Sequence, residues 1–88
     1  MTTHFRRSFE RDLRRIRDRR VLDRVREVIE AVEAADALSD LPNLKKIRGG
    51  DGYFRARVGD YRIGLFVESG EVEFVRVLPR RDIYRYFP

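Results

Sequence analysis

The sequence predicts an α+β domain in which two N-terminal helices pack on one face of a small antiparallel sheet, in the order β-α-α-β-β-β. Three observations predict it. Apolar residues recur at spacings of three and four through the first half of the chain. From Leu44 onward apolar and polar residues alternate. Glycine-containing turns divide that alternating half into strands short enough to pair with their neighbours.

The elements follow in order. Thr2 to Arg7 is short and polar and reads as a first strand. Ser8 is a candidate N-cap, and Glu10 sits in the first turn, where a carboxylate complements the helix dipole. Phe9, Leu13 and Ile16 then share one helix face. Asp18 is a second candidate cap. After it, Val21, Leu22, Val25, Val28, Ile29 and Val32 keep the helical period. The pattern fades through Ala34-Ala35-Asp36 towards Leu38, and Leu41-Pro42-Asn43 marks a connection.

In the second half, Gly49-Gly50-Asp51-Gly52 reads as a flexible turn. Tyr53, Arg55 and Arg57 then alternate with Phe54, Ala56 and Val58. Gly59-Asp60 is a two-residue hairpin signal. Beyond it Tyr61, Ile63, Leu65 and Val67 share a face, with Arg62, Gly64 and Phe66 opposite. Ser69-Gly70 is the next turn, and Val72 to Leu78 the third strand of a meander stopped by Pro79. Arg80 to Phe87 is a short ending, extended or one helical turn. The expected sheet has three or four strands. Helices on one side leave the other side free, and that free face is where function is expected.

Length and composition narrow the chemistry. The 88 residues suit one domain, 1–88, with little room for a buried cofactor cage. Without cysteine there is no disulfide, no Cys-ligated zinc and no thiol nucleophile. The single histidine, His4, builds neither a metal cluster nor a Ser-His-Asp triad and is expected at the surface. No cofactor and no metal are expected. The longest uninterrupted apolar run, Ile63 to Val67, falls far short of the ~20 residues of a membrane span. The first ten residues lack the apolar core of a secretory leader, so a cytoplasmic protein away from membranes is expected.

Charge points to partners. Twenty basic residues against 15 acidic ones give a net charge of +5, which suits nucleic acid or an acidic protein. Residues 6–26 hold ten arginines against four acids, whereas residues 27–40 hold five acids and no base. That polarity fits a solvated helix face with local ion pairs, or a basic end that tracks a phosphate backbone. In the strands, Arg55, Arg57 and Arg62 occupy neighbouring segments, and Arg80, Arg81 and Tyr84 follow the last one. Strands lie about 4.8 Å apart, so these groups can converge. They can equally pair with Glu68, Glu71 and Glu73 across the sheet.

At this point the residues carry a resemblance. The stretch LKKIRGGDGYFRARVGDYRIGLFV, followed by VEFVRVLPRRDIYRYF, resembles the RelE/ParE superfamily of type II toxin–antitoxin toxins, and the RelE-like branch most. Phe9, Asp12 and Leu13 fit the family's two-helix opening, so the likeness runs through nearly the whole chain. It implies a ribosome-dependent endoribonuclease that cuts mRNA in the A site and stops translation. It implies two partners: the ribosome with its mRNA and rRNA, and a cognate antitoxin with an acidic binding segment, the toxin being a monomer or part of an antitoxin-bridged complex. Carried over by position, Arg55 and Arg57 match the basic pair of the first meander strand, and Arg62 the arginine of the second. Arg80 matches the arginine after the last strand, with Arg81 beside it, and Tyr84 the C-terminal tyrosine. Many relatives carry a histidine where Pro79 stands.

The chemistry is consistent without histidine. Cleavage needs the 2′-OH deprotonated, the phosphorane charge stabilised and the 5′-oxygen protonated. Arginine stays charged and clamps phosphate oxygens in a fork. Guanidinium groups beside a phenol favour its phenolate, which suits Tyr84 as general base. Lys45, Lys46, Arg48, Arg81, Arg14 and Arg15 are expected to contact RNA through phosphate, without reading sequence. Two other readings belong to different classes: a ParE-like toxin that inhibits DNA gyrase without nuclease chemistry, and a non-catalytic basic scaffold that binds RNA or a partner.

Overall fold

The structure is a computed structural model that describes residues 1–41, 43–47 and 51–88. Its elements are β1 (Thr2–Phe5), α1 (Arg7–Arg15), α2 (Arg19–Ala34), a 3-10 turn (Leu38–Asp40), β2 (Leu44–Lys46), β3 (Tyr53–Val58), β4 (Tyr61–Glu68), β5 (Glu71–Pro79) and α3 (Arg80–Tyr86). The α+β class, the helical first half and the β meander are those the residue periods predict. The sheet has five strands in the order β1-β5-β4-β3-β2. β1 joins it parallel to β5, and the remaining pairs are antiparallel. A parallel pair needs a long crossover, and α1 and α2 are part of that crossover.

The main core lies between the two helices and the sheet. Phe9, Ile16, Val25 and Val32 come from the helical side, and Ala56, Val58, Ile63, Leu65, Val72, Phe74 and Val77 from the strands. These are the residues of the two predicted periods, so the burial follows directly from the pattern. Asp18 caps α2 as expected, accepting the Arg20 N–H at 2.9 Å. The Met1 nitrogen donates to the carbonyls of Val32, Glu33 and Ala35 at 3.3, 3.0 and 2.9 Å, which fastens β1 to the far end of α2.

Ser8 does not cap α1. The helix starts two residues earlier, with Arg6 as its N-cap. The reason is tertiary: Arg6 N–H completes the β1–β5 pairing by donating to Phe74 O at 2.9 Å, so the chain must turn there. α1 then runs along the edge of β5 that β1 leaves open. Ser8 Oγ donates to Val75 O at 2.6 Å, and Asp12 Oδ2 accepts from Val77 N–H at 3.2 Å. Side chains of α1 thus satisfy edge groups that another strand would otherwise pair. The opposite edge is β2, only three residues long with two lysines, a form that discourages further strand addition.

The second sheet face is not left free. α3 packs on it, burying Ile83 and Phe87 with Val75 against Ile47, Tyr53, Phe66 and Leu78. A bulge makes room for this. Gly64 pairs with Arg76 and Leu65 with Phe74, which leaves Val75 as an extra residue facing the second core. Among the described residues, no helix is long and apolar enough to cross a membrane.

Candidate anion-binding site beside Tyr84

Hairpin geometry places the first two arginines. Gly59 adopts φ +58 in the two-residue turn, a left-handed conformation that favours glycine. That turn sets Arg57 opposite Arg62 across β3 and β4. On the other side of β3, Lys45 stands opposite Arg55. Two cross-strand pairs are therefore cation against cation, an arrangement that costs stability. Among the described residues none of the four has a carboxylate within ion-pair distance. Of the acids that were candidates to neutralise them, Glu71 pairs with His4 at 2.6 Å and Glu73 with Arg6 at 2.7 Å, while Glu68 is exposed and pairs with none of the four.

The four cations and Asn43 line one cavity of about 250 Å³. Arg62 is its innermost member, only 7% exposed. Its Nη1 donates to the carbonyls of Gly59 and Tyr61, both at 2.9 Å, which fixes the plane of the guanidinium. The other guanidinium N–H groups take no acceptor among the described residues. Burial lowers the Arg62 pKa from its ordinary value, and repulsion from Arg57, Arg80 and Arg55 lowers it further, with Tyr84 opposing. The guanidinium is thus held among other cations, with no carboxylate of the described residues in ion-pair distance.

A second, more open hollow adjoins the first and is lined by Asp60, Tyr61, Pro79, Arg80, Arg81 and Tyr84. α3 delivers these groups. Arg80 N–H donates to Asp60 O at 2.7 Å, which ties the start of α3 to the β3–β4 turn. The Tyr84 ring lies under the Arg55 guanidinium, 5.4 Å from centroid to carbon, and joins the two hollows. Tyr84 is 57% exposed, so its oxygen is open to a ligand.

Of the residues singled out in the sequence, Arg55, Arg57, Arg62 and Lys45 share the inner cavity, and Arg80, Arg81 and Tyr84 the outer hollow. Lys46 pairs opposite Phe54, which packs towards the main core, so alternation turns it away from Lys45 and the cavity. Arg14 and Arg15 stand exposed in the last turn of α1 and line neither hollow. Arg48 lies outside the described residues. Asn43 was not foreseen, since nothing in its sequence context separates it from an ordinary loop residue. Gly64 carried a readable signal: a glycine inside an apolar strand marks a close approach, here by the Phe87 ring.

A family model described as the ParE toxin of the parDE type II toxin–antitoxin system matches residues 4–84. The chain belongs to the RelE/ParE superfamily of type II toxin–antitoxin toxins. This RelE/ParE toxin is 39% identical over 89 residues to Toxin RelE3 of Methanocaldococcus jannaschii, the match covering 100% of both chains. It superposes on the toxin fold in the crystal structure of the RelB–RelE antitoxin–toxin complex from Methanococcus jannaschii with a TM-score of 0.82. That match is at 36% identity and covers 97% of this chain and 99% of that one. The isolated E. coli RelE toxin matches at a TM-score of 0.67 and 16% identity, over 89% of this chain and 82% of that one, a likeness of fold.

Proposed function

We propose that this RelE/ParE toxin is a ribosome-dependent endoribonuclease that cuts mRNA and stops translation, with residues 1–88 acting as one toxin domain. One observation carries the reading. Two cation–cation pairs across adjacent strands, Lys45–Arg55 and Arg57–Arg62, surround a cavity that no carboxylate of the described residues lines, next to an exposed phenol. Local arrangements that cost stability concentrate where a ligand supplies what is missing. Here the missing component is an anion, and a phosphodiester fits it.

In this reading the scissile phosphate enters beside Arg62. The free N–H groups of Arg62, with Arg57 and Lys45, hold its non-bridging oxygens and stabilise the charge that grows on the phosphorane. Tyr84 oxygen takes the 2′-OH proton as the 2′-oxygen attacks phosphorus and the bond to the 5′-oxygen breaks. Arg55 supports Tyr84 from its ring face and adds to the cationic field. Arg80 faces the leaving 5′-oxygen. Its N–H groups stabilise the departing charge, and water completes the protonation. Arginine is a poor proton donor, so turnover depends on alignment of the mRNA by the ribosome. Pro79 lines the outer hollow and holds no proton, so these residues carry the chemistry without histidine.

Arg81, Lys46, Arg14 and Arg15 lie around or away from the centre and suit rRNA phosphates, and Arg48 is assigned the same role from its place in the sequence. A cognate antitoxin with an acidic segment complements the net charge of +5, and the related M. jannaschii toxin is solved bound to its antitoxin. Such a pair works in the cytoplasm, where mRNA is translated. The test is primer extension on mRNA programmed into ribosomes, with purified chain added. Discrete cuts that vanish in Arg62→Ala are expected. Absence of cuts from the wild-type protein, with inhibition of gyrase supercoiling instead, would replace this reading with the gyrase one.

A further inference from the structure

On the sheet face that carries α3, three residues form a row across the strands: Arg55 in β3, Gly64 in β4 and Arg76 in β5. The C-terminal segment sets one aromatic ring on each. Tyr84 meets Arg55 at 5.4 Å and Tyr86 meets Arg76 at 5.5 Å. Between them the Phe87 ring rests on Gly64 so closely that a Cβ there would stand 2.7, 2.7 and 2.8 Å from three ring carbons. Phe87 is 2% exposed and meets Tyr53 edge-on, with centroids 5.6 Å apart.

Tyr84 does not hold itself in place. Its side chain is mostly exposed and makes no hydrogen bond among the described residues; its one marked contact is the guanidinium of Arg55. α3 has seven residues, too few to persist as a helix on its own propensity. Its position comes from anchors on both sides of Tyr84. One is the Arg80–Asp60 backbone bond at the start, another the buried Ile83, and the last is Phe87, whose N–H donates to Ile83 O at 2.8 Å. Only a position without a side chain admits a ring flat on the strand, so Gly64 and Phe87 form one matched pair.

We propose that Phe87, seated on Gly64, is the positioning residue for Tyr84. It touches neither RNA nor the arginine cavity. It fixes the rotation and depth of α3, and so the place of the Tyr84 oxygen relative to Arg62. This rests on the reading of Tyr84 as the base, and the test separates the two.

The full-length chain is assayed for single-turnover cleavage of ribosome-programmed mRNA, and α3 for amide hydrogen exchange. Phe87→Ala is expected to slow the cleavage step about a hundredfold, the scale on which a small displacement of a reacting group acts, with half-saturation by ribosomes unchanged. Phe87→Leu restores most of the rate. Gly64→Ala, which pushes the ring off from the sheet side, reproduces the loss. The double variant Phe87→Ala/Tyr84→Phe is no slower than Tyr84→Phe alone, because the two changes remove one function. Exchange at the residue 87 amide speeds up in Phe87→Ala while β4 amides keep their protection. Wild-type cleavage by Phe87→Ala, multiplied losses in the double variant, or unchanged exchange in α3 would each overturn the proposal. A wild-type chain that never cuts overturns the catalytic reading instead, and the exchange result then decides alone whether Phe87 anchors α3.

Discussion

The Asp12 carboxylate grips the Arg76 guanidinium from both oxygens, at 2.7 Å to Nε and 3.0 Å to Nη2, and also accepts the Val77 N–H. Asp12 belongs to α1 and Arg76 to β5, so one buried acid fastens the first helix to the sheet. Arg76 in turn lies over Tyr86 in α3. Its pKa is raised by the hydrogen bond to Asp12, the stronger effect against burial.

Removing one partner of such a pair leaves a charge and a backbone donor without acceptors. Asp12→Ala is expected to lower unfolding stability by about 3 kcal/mol, read as a shift in the urea midpoint. Asp12→Asn keeps an acceptor for Val77 N–H and is expected to lose less. The exposed pair Arg6–Glu73 is the contrast, and Arg6→Ala is expected to cost no more than about 1 kcal/mol.

Arg62→Gln separates function from folding. The substitution relieves repulsion among Arg57, Arg80 and Arg55 but gives up hydrogen bonds to Gly59 and Tyr61. These effects oppose, and the net change in stability is expected within about 1 kcal/mol. Cleavage of ribosome-bound mRNA is expected to fall at least ~100-fold, the scale of losing a preorganised donor to a developing oxyanion. An unfolded variant, or one that cuts normally, would contradict this.

The lowered pKa of Arg62 has a definite sign in pH. The folded state gives up this proton more readily than the unfolded chain. Stability therefore rises with pH only between the lowered folded value and the unfolded one, in strongly alkaline solution. Below that window the charge costs a constant amount, so between pH 5 and pH 9 Arg62→Gln and wild type are expected to differ by a fixed offset in thermal midpoint.

The cation rows make the fold responsive to anions. Sulfate is expected to raise the melting temperature of the wild type more than chloride at equal ionic strength, because it occupies the cavity as well as screening it. In Arg62→Gln the two salts should act nearly alike. Equal effects in the wild type would argue that the cavity holds no anion.

Tyr84→Phe keeps the ring under Arg55 and removes only the oxygen. Cleavage is expected to drop about 100-fold or more with the thermal midpoint unchanged, since general-base contributions have that size. Retained cleavage would move the base elsewhere.

By itself the sequence determined what local rules control. Apolar spacing set the two helices and three of the strands, and Asp18 set the start of α2. The Gly59-Asp60 turn set Arg57 beside Arg62, since a two-residue hairpin fixes its own register. Ser8 shows where local rules stop: a good cap was drawn off to Val75 because the β1–β5 pairing placed it there. Only the tertiary structure decided that β1 runs parallel to β5, that Asp12 meets Arg76 across 64 residues of chain, and that Phe87 returns to Gly64. It also decided that Glu71 and Glu73 serve His4 and Arg6 and leave the inner arginines open. The physical reason is that short-range preference is written in neighbouring residues. Which distant side chains meet depends on strand order, register and one bulge, settled together by burial of the two cores.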